Sequence, residues 1–276
     1  MYEKYWGLTE KPFENTPDPK FMYYSKKHEE ALTRLLYAIR EEKGAAMLTG
    51  EYGSGKTLLS RIIIDELIRD RNYEVALITH PQLTPIEFSQ EILYQLTNEH
   101  MTGSKLEFLH KLQDIIYSNF NDGKKTVILI DESQIINSEE AWEEIRLYLN
   151  FQLHNKFLIT LILLGQPQLL EKIRLIPPLW QRIGIKYHLY ALTASEVEEY
   201  IKHRLSMAGT NTDIFTKEAI DIIYGYSKGL PRNINNACDM CLLIGFGQEA
   251  KHIDNKLAEK VVAELNMERS FNAKNV

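Results

Sequence analysis

The octet Gly50-Glu51-Tyr52-Gly53-Ser54-Gly55-Lys56-Thr57 matches the pattern G-x-x-x-x-G-K-[ST] in full, and its setting narrows the fold more than any other stretch of the chain. Ala45-Ala46-Met47-Leu48-Thr49 before it reads as a buried strand, and Leu58 to Leu67 after it reads as a helix. Strand, glycine-rich turn and helix in that order predict an anion socket of the Walker A type. Gly50, Gly53 and Gly55 are expected to take positive φ and turn backbone N–H groups inward, where the positive end of the following helix adds favourable potential. Lys56 is then expected to reach the β- and γ-phosphates of a nucleotide, with Glu51, Tyr52, Ser54 and Leu58 completing the cradle. The Thr57 hydroxyl is expected to ligate a Mg²⁺ that keeps most of its waters.

The 276 residues are 44% hydrophobic and 25% charged, enough for one large domain or an α/β domain with a smaller companion. A net charge of −6 counts against general nucleic-acid affinity, which asks for a basic surface, although a basic patch can sit inside an acidic total. The longest apolar run, Phe157 to Leu164, is far short of the roughly 20 residues that cross a bilayer, and the N-terminus is not signal-like. A cytoplasmic chain without a transmembrane segment is expected, peripheral to the inner membrane only through a partner. Cys238 and Cys241 have C-x-x-C spacing without a second pair, which favours core packing in a reducing compartment over a metal or redox role.

Residues 1–24 combine prolines with many aromatics, among them Tyr5, Trp6, Phe13, Phe21, Tyr23 and Tyr24. Prolines disfavour regular structure while exposed aromatics are costly, so an ordered arm packed on the main domain is expected. Residues 25–191 then alternate helices with apolar strands at Val75–Thr79, Thr126–Ile130, Leu158–Leu164 and Ile185–Leu189. Thr84-Pro85-Ile86-Glu87 supplies a capping box with proline at the first helical position. The pattern predicts a doubly wound parallel sheet with its ligand at the carboxyl ends of the strands. From 192 to 268 only helical signals occur, with capping residues at Thr193, Thr216 and Asp254 and a helix start at Pro231, so a small helical lid is expected. Residues 269–276 are expected to fray.

Val127-Ile128-Leu129-Ile130-Asp131-Glu132 is a strand ending in two carboxylates, the Walker B pattern. Asp131 is expected to hold Mg²⁺ through a water, and Glu132 to orient and polarise the water that attacks the γ-phosphate. No guanine-reading [NT]-K-x-D motif occurs, so adenine is the expected base. Gln166 follows the next apolar strand, where a neutral amide can hydrogen-bond both the γ-phosphate and the water, the part of a sensor-1 residue, as against a plain loop glutamine. Arg232, after Pro231, can fold back onto the γ-phosphate; Arg182, before the last strand, can point into a neighbouring subunit as an arginine finger. The alternative for each is a surface arginine.

Across nearly its whole length the chain resembles the AAA+ ATPases of the general secretion pathway, ExeA or GspA type, and the similar ATPases of pilus and exopolysaccharide systems. The resemblance rests on Tyr5-Trp6-Gly7-Leu8, Pro12-Phe13, Thr16-Pro17-Asp18-Pro19, Phe21 with Tyr23, and His28 with Glu30-Ala31-Leu32. It continues through Gly50 to Thr57, Asp131-Glu132-Ser133-Gln134, Leu164-Gly165-Gln166-Pro167, Gln181-Arg182-Ile183 and Gly229-Leu230-Pro231-Arg232. It implies a P-loop AAA+ core with a helical lid, ATP and Mg²⁺ as ligands, and a homo-oligomeric ring or filament. It also implies adenine held near the arm and the following helix, at Phe21 and His28, with Pro231 and Arg232 on the lid side. Arg182 is implied as the finger and Arg232 as sensor 2. Secretion members often continue into a membrane helix and a peptidoglycan-binding region; neither occurs in these residues, which puts direct cell-wall binding in doubt. Lys186, where many relatives carry arginine, weakens a second finger there.

The expected function is an ATPase that drives assembly or remodelling in a bacterial envelope secretion, pilus or polysaccharide export system through an unidentified protein partner. The alternative is a DNA-associated AAA+ ATPase regulating transposition or replication, of the TnsC or TniB type.

Overall fold

The computed structural model describes residues 1–273, with side chains described through residue 267. The backbone divides into two compact units: Lys26–Glu51 with Lys56–Leu189, and Met1–Ser25 with Tyr52–Gly55 and the residues from Tyr190 onward.

The first unit runs α1 (Lys26–Arg40), β1 (Ala45–Gly50), α2 (Lys56–Asp70), β2 (Tyr73–Ile78), α3 (Pro85–Thr97), α4 (Lys105–Asn121) and β3 (Lys125–Ile130). It continues through α5 (Glu139–Tyr148), a small hairpin of β4 (Gln152–Leu153) and β5 (Lys156–Phe157), β6 (Ile159–Gly165), α6 (Gln168–Arg174), α7 (Pro177–Arg182) and β7 (Ile183–Leu189). Five strands form one parallel sheet in the order β2-β3-β6-β1-β7. Strands β1 and β6 are buried along their whole length, as continuous apolar runs require when both faces of a sheet are covered. Alternate residues Met47, Ile128, Ile130, Leu161 and Leu163 pack with Phe88 of α3, Phe108 and Leu112 of α4 and Ile145 of α5. The intervening Leu48, Val127, Leu129, Ile162 and Leu164 are equally buried, so by the two-residue period they face a second layer. There α1 and α2 bury Leu35, Ile39, Leu59 and Ile63. The sheet is doubly wound, as expected.

The capping signals hold. The Thr84 side chain accepts the N–H of Glu87, which reaches back to the cap N–H, and Ser104, not among the expected caps, forms the same box with Glu107. Sequence periodicity did not anticipate α5, α6, α7 or the hairpin, all of them short.

The second unit contains α8 (Ala194–Met207), α9 (Lys217–Ser227), α10 (Pro231–Gly247) and α11 (Asn255–Ala273). Thr193 forms the expected capping box with Glu196, and Thr216 and Asp254 accept from the N–H groups of Ala219 and Leu257. Gly229 has φ 75°, and a Cβ there would stand 1.9 Å from Leu192 O, so the turn into α10 admits only glycine. Cys238 and Cys241 are buried reduced in α10, and burial pushes the Cys241 thiol up to about 12, which fits packing.

The placing of the arm is corrected. The aromatic arm was expected on the α/β domain, but Tyr2, Trp6, Leu8, Phe13 and Phe21 share a core with α8, α9, α10 and α11. Trp6 Nε1 donates to Leu242 O at 2.9 Å and Thr9 N to Ala208 O at 2.8 Å. Arg204, buried in α8, donates to Pro12 O and Glu14 O and lies 4.9 Å over the Phe21 ring. Burial of the aromatics demanded a cover, and the apolar faces of four helices supply it. The expected frayed tail is helical to Ala273, and 274–276 lie outside the described residues.

Candidate functional site

Three neighbouring strands end side by side at the carboxyl edge of the sheet. Ile130 of β3 pairs with Leu163 of β6, and Gly165 of β6 with Thr49 of β1. Asp131, Gln166 and Gly50 therefore leave adjacent strands, with Gln166 in the middle.

Gly53 and Gly55 take φ of 78° and 102°, as the loop requires. Gly50 does not: it is the last, buried residue of β1, and extended backbone suits it. The turn Tyr52–Gly55 clusters with the helical unit. Within that unit Arg232 N donates to Gly53 O at 3.2 Å and the Arg232 guanidinium stands 4.5 Å over the Tyr52 ring. A Cβ on Gly53 would lie 2.5 Å from Arg232 Cβ, so close approach as well as φ demands glycine there. Pro231 opens α10 and sets Arg232 in its first turn. Glu51 and Tyr52 are exposed, Ser54 is buried, and Leu58 is half-buried in the first turns of α2.

Lys56 is the first residue of α2 and is buried; its Nζ donates to Gly50 O at 2.8 Å and Glu51 O at 3.0 Å. Burial pushes its ammonium below the ordinary lysine value, while Glu132, Asp131 and Glu51 act the other way. An ammonium has three donors, so these two carbonyls orient it and leave the third for an anionic oxygen.

Thr57 Oγ1 donates to Asp131 Oδ2 at 2.7 Å, and Glu132 N donates to Asp131 Oδ1 at 2.9 Å. Burial raises the Asp131 carboxyl above the usual aspartate value against the pull of these two hydrogen bonds. The 2.7 Å between the two oxygens is an ordinary O–H···O hydrogen-bond length, so a hydroxyl and a carboxylate stand side by side. These are oxygen donors of the kind Mg²⁺ takes.

Glu132 has left-handed backbone, φ 50°, where β3 turns into the 3₁₀ turn Ser133–Ile135. Gln134 Nε2 donates to Glu132 Oε2, and Gln166 N donates to Gln134 Oε1 at 2.9 Å. Sequence reading assigned nothing to Gln134; its signal was an amide two residues past the carboxylates, legible only with the strand order. A second unassigned neighbour is His188 of β7, whose Nδ1 is 3.0 Å from Thr49 Oγ1, one residue before the loop; burial lowers its pKa.

Arg182 ends α7. Ile183 pairs with Ala45 and Leu189 with Gly50, so Arg182 lies at the sheet edge opposite the loop. Its Nη1 donates to Asn150 Oδ1 at 2.7 Å. Lys186 lies over the Trp180 ring at 4.2 Å. Phe21 is buried in the helical unit beneath Arg204, and His28 is buried in α1.

A family model described as an AAA domain matches residues 39–173, which include the loop, Asp131, Glu132 and Gln166 and end before Arg182 and Arg232. General secretion pathway protein A of Aeromonas hydrophila is 37% identical over 257 residues, covering 92% of this chain and 46% of that protein. The chain therefore spans about half the length of that relative. Among solved structures, the Drosophila ORC bound to DNA has a TM-score of 0.68 at 19% identity, covering 87% of this chain and 60% of that one. The Aeropyrum pernix ORC2 protein, solved as ADPNP-ADP complexes, has a TM-score of 0.64 at 18% identity, covering 87% and 67%. At these identities the solved structures establish a shared fold.

Proposed function

The chain belongs to the AAA family, of the general secretion pathway protein A type with its P-loop nucleotide-binding fold, and from that premise we propose that it binds ATP with Mg²⁺ and hydrolyses it. The work of hydrolysis would go into assembly or remodelling in a bacterial envelope secretion, pilus or polysaccharide export system. The observation that carries the chemical part is the Thr57–Asp131 contact at 2.7 Å, beside a lysine already oriented by its own loop.

Loop N–H groups and the third donor of Lys56 take the phosphates, with Glu51, Tyr52, Ser54 and Leu58 completing the cradle. Thr57 and Asp131 hold Mg²⁺, which when bound neutralises charge on the phosphoryl oxygens. Glu132 orients and polarises the attacking water, and Gln166 hydrogen-bonds water and γ-phosphate from the strand between loop and carboxylates. Arg232 senses the γ-phosphate from the helical lid, with Pro231, Phe21 and His28 near the adenine. Arg182 serves the site of a second copy in a homo-oligomeric ring or filament, a role its distance from its own loop supports.

We place the chain in the cytoplasm, against the inner membrane through an unidentified envelope protein. No helix among the described residues is long and apolar enough to cross a membrane. The DNA-associated alternative draws no support from the solved structures, whose identity is too low to transfer a ligand, and the net charge of −6 is against it.

Calorimetric titration with ATP tests the binding half. Affinity should rise when Mg²⁺ is added, Asp131→Ala should remove that increment alone, and Lys56→Ala should abolish binding. Retained ATP affinity in Lys56→Ala would overturn the assignment of the loop.

A further inference from the structure

Gln134 lies in the 3₁₀ turn between the carboxylates and α5, and its amide orientation is dictated by its neighbours. The Gln166 N–H can only donate, so the atom 2.9 Å from it is Oε1, and the NH₂ group is thereby turned onto the Glu132 carboxylate. The turn is anchored on both sides. Ser133 Oγ donates to Ile130 O at 2.8 Å, while Lys172 Nζ of α6 donates to Gln134 O, to Ile136 O at 3.0 Å and to Asn137 Oδ1 at 2.7 Å. A Cβ on Gly165 would lie 2.8 Å from Gln134 Oε1, so the amide occupies space that the strand end leaves open for it.

We propose that Gln134 is a positioning residue that fixes the Glu132 carboxylate and ties it to the strand end carrying Gln166, so that the water-orienting group and the γ-phosphate-sensing segment move together. The inference rests on the hydrolytic reading of the site given above. The chemistry suits the task. A glutamate's terminal torsion is broad and does not fix the carboxylate plane by itself. An amide donor restricts that plane without neutralising the charge, leaving the second carboxylate oxygen to accept from water. The link is also short: one side chain joins residues that lie 34 apart in sequence, just beyond the ends of the neighbouring strands β3 and β6.

Phosphate release from ATP–Mg²⁺ by the full chain, with kcat and KM measured for wild type, Gln134→Leu, Gln134→Glu and Glu132→Gln, tests it. Gln134→Leu should lower kcat by about 10- to 100-fold, the scale of loss when a hydrogen-bond partner that orients a working side chain is removed, as measured for metal ligands. KM for ATP should stay within about twofold, since the contact matters after binding, and the thermal midpoint should match wild type. Gln134→Glu keeps an acceptor for Gln166 N–H but removes the amide donor to Glu132, so kcat should fall in it as well, again with KM unchanged. Wild-type kcat in Gln134→Leu, or a loss confined to KM or to thermal stability, would overturn the proposal. If the leucine variant does not fold, wild-type kcat in the glutamate variant overturns it. Hydrolysis lost in Glu132→Gln but intact in both Gln134 variants defeats this inference and leaves the hydrolytic reading standing; a wild type that binds ATP without hydrolysing it defeats both.

Discussion

Arg182 and Gly50 stand at opposite ends of one parallel strand pair: Arg182 precedes Ile183, which pairs with Ala45, and Gly50 pairs with Leu189. Five residue steps of about 3.3 Å put roughly 17 Å between the two ends. If Arg182 contributes to hydrolysis, it does so in another copy of the chain. Turnover per chain should therefore rise with protein concentration, and Arg182→Ala should remove that rise while leaving ATP affinity intact. An arginine finger contributes about 10³ to 10⁵ in rate where it has been dissected, so the loss should be large. Specific activity independent of concentration and of Arg182 would contradict the trans assignment.

The raised carboxyl of Asp131 sets a pH dependence with a definite sign. An unfolded aspartate titrates near about 3.9, while burial holds the folded carboxyl above its ordinary value. Between the two values the folded chain carries a proton that the unfolded chain lacks. Stability of the nucleotide-free protein therefore gains from this group as pH falls through the folded pKa, and the gain is absent above it. Asp131→Asn, neutral at every pH, should be more stable than wild type near neutrality, with the difference shrinking on acidification. Urea denaturation of both proteins from about pH 4 to 7 measures it; a constant difference would mean that burial does not perturb Asp131.

Docking of the arm on the helical unit makes the first 25 residues part of a core. Trp6 is buried there, with its indole N–H on Leu242 O. Trp6→Ala should destabilise the protein by about 3–5 kcal/mol, the cost of emptying a large aromatic site, in equilibrium unfolding. A change below about 1 kcal/mol, typical of a surface substitution, would show the arm to be dispensable.

Much of the α/β unit was legible because its inner strands are buried on both faces and so read as unbroken apolar runs. Thr84 and Thr193 announced helix starts by local chemistry alone. The cover of the arm was not legible, since a buried aromatic says that something packs on it and not what. Gln134 was missed for a related reason: its partners are fixed by β3 lying beside β6, a long-range pairing. Gly50 was misjudged because glycine at a strand end satisfies the motif without needing positive φ. Neither short helix α6 nor α7 spans enough turns to establish a period.

The central claim is that Glu132, held beside Asp131 and Gln134, makes this site hydrolytic. Phosphate release by wild type and Glu132→Gln at saturating ATP–Mg²⁺ tests it most directly, with nucleotide binding measured on the same samples. The account predicts that the variant binds ATP as wild type does and that its kcat falls by about 10² to 10⁴, the contribution of a positioned general base. Undiminished phosphate release from Glu132→Gln would contradict it.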